Sequence, residues 1–129
     1  MEERLFSLEE ANSLLPVLEP LLIELSHDWI FMQRINEEIR RAHEASDRGG
    51  GSVFGISYIE SAERVVHFLH RIQELGVLLK DPGSGLCDFA HQVGSRAVYL
   101  CWRLGEKRIS WWHEVETGFA GRRPIEELD

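Results

Sequence analysis

The chain has 129 residues and a formal net charge of −8, with 43% hydrophobic and 28% charged residues. This length fits one domain with its own core, and the composition is that of an ordinary soluble globular protein. The acidic charge disfavours nucleic acid as a main partner. No apolar run is long enough to span a bilayer, and the opening Met1-Glu-Glu-Arg4 is unlike a signal peptide. We therefore expect a cytoplasmic protein with no membrane partner, in which Cys87 and Cys101 are free thiols.

The first part of the chain predicts a long helix over residues 7–45. Ser7-Leu-Glu-Glu10 has the pattern of a capping box, which begins helices. Apolar residues then recur at alternating steps of three and four, which is typical of a helix that packs along one seam. Pro16 and Pro20 each remove an intrahelical hydrogen bond, so we expect a bend or a break there that splits off a short first helix. The apolar row consists of Leu8, Ala11, Leu15, Leu18, Leu22, Leu25, Trp29, Met32 and Ile39, with Asn36 interrupting it.

A second, shorter helix is predicted over residues 57–75. It follows a glycine-rich segment, Asp47–Ser52, which reads as a flexible connector because no Lys-Ser or Lys-Thr follows it as in a phosphate loop. Ser57-Tyr-Ile-Glu60 is a second capping box, and Gly76 ends the helix. Two helices joined by a short linker pack antiparallel. The second helix is too short to cover the apolar segment Leu14–Leu25, so we expect the C-terminal third or a second copy of the chain to cover it.

Residues 77–125 predict a small antiparallel sheet. Its strands are expected at Val77–Lys80, Leu86–Phe89, Ala97–Leu104 and Ile109–Val115, separated by segments with turn chemistry. The third strand alternates, so that Val98, Leu100, Trp102 and Leu104 share one face and Tyr99, Cys101 and Arg103 share the other. The predicted fold is therefore α+β, a single domain of residues 1–129. A long bent helix pairs with a shorter antiparallel helix, and a small C-terminal antiparallel sheet closes the structure.

Cys101 and His113 are the most obvious candidates for chemistry. A thiolate nucleophile or a zinc site would need both side chains to converge. With a loop of two or four residues before the last strand, Cys101 shares a face with Trp112 and Glu114, while His113 lies on the other face. An odd loop or a bulge would reverse this arrangement. We therefore expect no metal and no cofactor, and interpret Cys101 as a small buried hydrophobe and His113 as a core or pocket-lining histidine.

Polar residues on or near the Cys101 face are the remaining candidates for a site. Arginines near carboxylates often form surface ion pairs that contribute little stability. Around a tryptophan at the edge of a groove, the same residues could bind a polar small molecule. No Walker loop, dinucleotide fingerprint, nucleophile elbow or zinc-ribbon spacing is present. The candidate ligand-binding residues are Asp88, Tyr99, Cys101, Arg103, Trp112, His113, Glu114 and Arg122.

Several strings of the sequence resemble a bacterial family of small proteins known only as a domain of unknown function. They include Phe6-Ser-Leu-Glu-Glu-Ala-Asn12, Val98-Tyr-Leu-Cys-Trp-Arg-Leu-Gly-Glu106, Trp112-His-Glu114 and Gly118-Phe-Ala-Gly-Arg122. The resemblance covers nearly the whole chain. It implies a bacterial cytosolic protein and no mechanism. It also implies that the region from Cys101 to Glu114 belongs to the family's signature, whether for folding or for binding.

Two functional hypotheses follow. The first is a non-catalytic interaction or scaffold protein that acts as a homodimer through its acidic first helix, with an unidentified protein partner. The heptad row and the lack of a catalytic motif favour it. The alternative is a binding site, with or without enzymatic activity, for a polar small molecule or a metal on the C-terminal sheet. The density of aromatic and ionisable residues after Asp88 favours this alternative.

Overall fold

A computed structural model describes residues 3–45 and 55–128 of the chain. These residues form an α+β structure, as the sequence predicts: two helices followed by a five-stranded antiparallel sheet with strand order β1-β2-β3-β4-β5. The helices are α1 (Leu8–Ala45) and α2 (Gly55–Glu74), and the strands are β1 (Leu78–Asp81), β2 (Leu86–Val93), β3 (Arg96–Arg103), β4 (Trp111–Glu114) and β5 (Arg123–Pro124). The connector predicted at residues 47–52 lies outside the described residues. Neither described helix carries an apolar stretch that could cross a membrane.

Helix α1 begins at the predicted capping box and is not interrupted. The Ser7 hydroxyl accepts a hydrogen bond from the Glu10 amide at 3.0 Å, and the Glu10 carboxylate accepts one from the Ser7 amide at 2.9 Å. The helix then runs through Pro16 and Pro20 as a single element of 38 residues. The prediction of a separate short first helix is therefore wrong. Both prolines are exposed, so the carbonyls that lose their amide partners can bind water.

The sheet covers the first half of α1. Leu15, Leu18, Leu22 and Leu25 are buried in one core with residues of β2, β3 and β4. The sequence offered two candidates to cover this part of α1, the C-terminal third and a second copy of the chain. The C-terminal third of the same chain covers it. Towards its end the predicted apolar row no longer follows the buried face, since Ile39 is 46% exposed. A straight helix drifts away from a strict seven-residue repeat in this way.

Helix α2 packs against the second part of α1. An ion pair joins the two helices, because the Arg64 guanidinium donates to both carboxylate oxygens of the buried Asp28 at 2.9 and 3.0 Å. The helix begins at Gly55, two residues before Ser57. The predicted capping box at Ser57 is therefore wrong, since that residue lies inside the helix.

The sheet has one face in the core and one face directed away from α1. The core face carries Phe89, Val98, Leu100, Trp102 and Trp112. For β3 this is the face that the alternation predicts. Trp102 is fully buried, and its indole nitrogen donates to the Glu106 carbonyl oxygen at 3.0 Å. The opposite face, which we call the outer face, carries the polar members of the same strands.

Candidate functional site

The register between β3 and β4 decides which side chains meet on the outer face. Tyr99 lies opposite His113, and Cys101 lies opposite Trp111. The connection between the strands covers residues 104–110, an odd number of residues, so the pairing is displaced by one residue from that of a two- or four-residue loop. Cys101 and His113 therefore share one face. The prediction that they lie on opposite faces, with Cys101 beside Trp112, is wrong.

Three side chains from neighbouring strands converge on the outer face. Asp88 of β2 lies directly opposite Cys101 of β3, and His113 comes from β4. All three are buried, with exposures of 2%, 0% and 3% respectively. A carboxylate oxygen, the thiol sulfur and a ring nitrogen lie within 4.8 Å of one another. Among residues 3–45 and 55–128, this is the group whose spacing suits a metal ion.

The hydrogen bonds of His113 indicate which ring nitrogen faces the group. Its Nδ1 lies 2.7 Å from the Glu114 carbonyl oxygen, which can only accept, so Nδ1 carries a hydrogen. Its Nε2 lies 3.0 Å from Oδ1 of Asp88. In a neutral imidazole, Nε2 then presents a lone pair towards an oxygen that also carries lone pairs. Something positive must lie between these two atoms, either a proton or a metal ion.

The thiol of Cys101 is protonated at neutral pH. Burial raises its pKa to about 11, and the negative charge of Asp88 acts in the same direction, while the Arg122 guanidinium acts against it. Cys87 precedes Asp88 in β2, where it lies opposite Trp102 on the core face. Burial also raises its pKa. Both thiols are free.

The three converging side chains line a cleft of about 220 Å³ on the outer face. Lys80 and Tyr99 contribute polar groups to its wall, and the Tyr99 hydroxyl donates to a carboxylate oxygen of Glu3 at 3.0 Å. The pKa of Tyr99 is raised, chiefly by burial and then by the hydrogen bond to Glu3. The remaining wall is largely apolar and consists of Leu86, Val115, Gly118 and Phe119.

Two arginines hold the aromatic wall of the cleft. The guanidinium carbons of Arg103 and Arg122 lie 4.5 and 4.8 Å from the centroid of the Phe119 ring, within cation–π range. Arg122 is fixed in turn by Glu106, whose carboxylate accepts from Arg122 Nη2 at 2.9 Å and from the Arg103 amide at 2.7 Å. The turn that places Glu106 passes through Gly105, whose φ of +105° favours glycine.

The Cys101-to-Glu106 string therefore has a structural account. Cys101 belongs to the converging group, Trp102 fills the core, and Arg103 and Glu106 fix the segment that forms the far wall of the cleft. Successive residues of a β-strand point to opposite faces, so one short run of sequence can place residues in the core and at the cleft in turn.

The structure brings together some of the predicted site residues and separates others. Asp88, Tyr99, Cys101 and His113 line the cleft, while Arg103 and Arg122 support its wall through Phe119. The other two predicted residues do not line it. Trp112 is buried in the core and donates its indole hydrogen to the Pro124 carbonyl oxygen, and Glu114 forms an ion pair with Arg96.

Sequence reasoning missed Lys80, Leu86 and Phe119. Lys80 and Leu86 lie in the predicted first hairpin, but their position at the cleft depends on how that hairpin pairs with β3. The available signal for Phe119 was its place in the Gly118-to-Arg122 string. Nothing in the sequence linked that string to Arg103.

Comparison with known proteins identifies the family. The family described as "Uncharacterized conserved protein (DUF2203)" matches residues 4–125. The chain belongs to this family. The DUF2203 match spans β2, β3 and β4 and therefore includes Asp88, Cys101 and His113. No curated protein and no solved structure matches the chain.

Proposed function

We propose that this DUF2203 protein binds a zinc ion through Asp88, Cys101 and His113, and that the ion's fourth position faces the cleft. The observation that carries the proposal is the convergence of three buried donor atoms within 4.8 Å of one another, with Nε2 of His113 3.0 Å from a carboxylate oxygen of Asp88 while Nδ1 donates to a backbone carbonyl. Metal-bound histidines commonly donate their second ring hydrogen to a carbonyl or carboxylate, which fixes the tautomer for binding.

The donor set favours zinc among the common divalent ions. Thiolate and imidazole are ligands that zinc prefers, and calcium and magnesium prefer oxygen donors. Around a tetrahedral zinc ion with bonds of about 2.0–2.3 Å, ligand atoms are about 3.3–3.6 Å apart. Here Nε2 of His113 and Oδ1 of Asp88 are 3.0 Å apart, and all three ligand atoms lie within 4.8 Å of one another.

The same geometry disfavours Cys101 as a nucleophile. An activated cysteine needs a base that takes its proton, or a positive environment that lowers its pKa. Here Nε2 of His113 is directed at Asp88, and burial raises the pKa of the Cys101 thiol to about 11. If zinc were bound, Cys101 would coordinate it as a thiolate and its proton would pass to solvent. The thiol therefore fits the role of a ligand better than the role of a nucleophile.

Three protein ligands with a fourth position open to a cleft characterise catalytic zinc sites, whereas structural sites are closed by four ligands. An ion in this position can polarise an oxygen atom of a bound molecule or lower the pKa of a bound water. We therefore propose that the function of the chain is to bind a small molecule at a zinc ion, with metal-assisted chemistry on that molecule.

Cobalt substitution tests the metal site. The metal-free protein is titrated with Co²⁺, and a thiolate-to-cobalt charge-transfer band in the near ultraviolet reports a bound cysteine. We expect one cobalt ion per chain, with the band present in Cys87→Ala and absent in Cys101→Ala. The two variants each remove one buried thiol, so they are matched controls. A protein that binds no cobalt, or a band that survives in Cys101→Ala, would contradict the proposal.

A second candidate function is an interaction protein that acts as a homodimer. The observation that favours it is a set of apolar side chains on the two helices, each at least 41% exposed: Ile23, Ile30, Ile39, Ile56, Ile59 and Val66. Exposed apolar side chains mark a contact site where they form a continuous patch, which this proposal requires of the two helices. The two proposals are compatible, since the helices and the cleft lie on different parts of the chain.

A further inference from the structure

We propose that the molecule bound at the zinc ion is a small monocarboxylate with a short apolar end. This inference rests on the proposed zinc site and names the class of its ligand. In the bound arrangement, one carboxylate oxygen occupies the open position on zinc, the Lys80 ammonium pairs with the anion, and the apolar end contacts Leu86, Val115 and Phe119.

The charges of the cleft favour an anion. The two positive charges of zinc are balanced by the Asp88 carboxylate and the Cys101 thiolate, and His113 binds as a neutral imidazole. The cleft also carries Lys80, which is exposed and whose ammonium lies 5.6 Å from the centroid of the Tyr99 ring. Among residues 3–45 and 55–128, no ion pair to Lys80 is present. The wall of the zinc-loaded cleft therefore offers the Lys80 ammonium to an anion, beside the Glu3 carboxylate that accepts from the Tyr99 hydroxyl.

A carboxylate fits this charge better than a phosphate. Phosphate sites usually combine several arginine, lysine or backbone N–H donors, because the ligand carries up to two charges and several acceptor oxygens. Here the cleft wall has a single cationic side chain, Lys80. The two nearby arginines are directed elsewhere, since Arg103 and Arg122 both lie against the Phe119 ring and Arg122 pairs with Glu106.

The size and the walls of the cleft set the size of the ligand. A volume of about 220 Å³ is below the roughly 300–1,000 Å³ of pockets for drug-sized molecules. The apolar wall formed by Leu86, Val115 and Phe119 can bury a few methylene groups. Burial of each methylene contributes a factor of about four in affinity. A short-chain acid should therefore bind more tightly than acetate.

The test uses cobalt-loaded protein, because a ligand that enters the coordination sphere changes the visible cobalt spectrum. Acetate, butyrate and inorganic phosphate are titrated separately at constant ionic strength. We expect acetate and butyrate to change the spectrum, with butyrate, which has two more methylenes, binding about 15-fold more tightly. Phosphate should bind more weakly than butyrate. If phosphate binds more tightly than both acids, the assignment of the ligand class is overturned.

Lysine substitution tests the role of Lys80. Lys80→Met should weaken butyrate binding by about two- to fivefold, the effect of losing an exposed ion pair. Lys107→Met is the matched control, because Lys107 is exposed in the connection between β3 and β4 and does not line the cleft. Its affinity for butyrate should not change. Equal affinities in the two variants would overturn the pairing with Lys80.

The failure of this inference can be distinguished from the failure of the zinc site. If the thiolate-to-cobalt band forms and none of the three anions changes the visible spectrum, the zinc site stands and the ligand assignment is wrong. If cobalt does not bind, both the site and the ligand assignment are wrong. Circular dichroism of each variant shows whether the fold is retained.

Discussion

Zinc binding should release a proton from Cys101 and should therefore strengthen with pH. The folded thiol has a pKa of about 11, so at pH 7 about one chain in 10,000 carries the thiolate that the metal needs. The apparent affinity at pH 7 is lower than the affinity of the thiolate form by the same factor, or about 5 kcal/mol. The thiol alone should contribute a rise of about tenfold for each pH unit, or roughly 100-fold between pH 7 and pH 9.

Two measurements check this proton release. Competition with a chelator of known affinity gives the apparent dissociation constant at each pH. Calorimetry in two buffers with different ionisation enthalpies counts the protons released. The proton between His113 Nε2 and Asp88 in the metal-free site is displaced as well, and the Cys101 thiol should contribute about one further proton for each zinc ion at pH 8. Cys101→Ser should bind zinc more weakly and lose this proton, whereas Cys87→Ala should keep it. An affinity that does not depend on pH, or the same pH slope in Cys101→Ser, would refute the reasoning.

Three further predictions concern stability and assembly. Trp102→Ala should lower the free energy of unfolding by about 3–5 kcal/mol, because it leaves a large cavity in the core; an unchanged denaturant midpoint would show that the core face is wrongly assigned. In the metal-free protein, the pKa of Cys101 is about 11 in the folded state, against a reference value of 9.0. Between pH 9 and pH 11 the folded state therefore keeps a proton that the unfolded state loses. The free energy of unfolding should fall by about 3 kcal/mol over this range as the pH rises. Cys101→Ala should lack this part of the decline, and an identical pH profile in chemical denaturation would contradict the burial of the thiol. The exposed apolar side chains of the helices predict a dimer in sedimentation at tens of micromolar (a rough working range), and a protein that remains monomeric there would contradict the homodimer.

The sequence predicts the faces of a single strand well because side chains alternate strictly. The buried and outer sides of β3, with Trp102 on one and Cys101 on the other, follow from the pattern alone. The capping box of Ser7 and Glu10 also marks the start of α1 correctly. In each case the deciding interactions are local, within a few residues of the sequence.

The pairing of β3 with β4 could not be predicted with the same success. It depends on the length and shape of the connection 104–110, and an error of one residue moves every side chain of β4 to the other face. Because of this one error, His113 was predicted on the opposite face from Cys101, and there was no reason to expect a metal site. The site therefore depends on a long-range register, although its residues Asp88, Cys101 and His113 were all among the candidates.

The prolines of α1 show a second limit of sequence reasoning. Pro16 and Pro20 suggested a break because a proline removes one hydrogen bond and clashes with the preceding turn. The helix nevertheless continues, since both prolines are exposed and Leu15, Leu18 and Leu22 bury the other side against the sheet. Tertiary packing outweighs the local preference here.

X-ray absorption at the zinc edge tests the central claim most directly, since it reports the ligands of the metal themselves. Zinc-loaded protein at one equivalent should show one sulfur at about 2.3 Å and about three nitrogen or oxygen atoms at about 2.0–2.1 Å, from Asp88, His113 and one non-protein ligand. Cys101→Ala should lose the sulfur, and Cys87→Ala should retain it. A shell of nitrogen and oxygen atoms alone in the unmodified protein would contradict the zinc site.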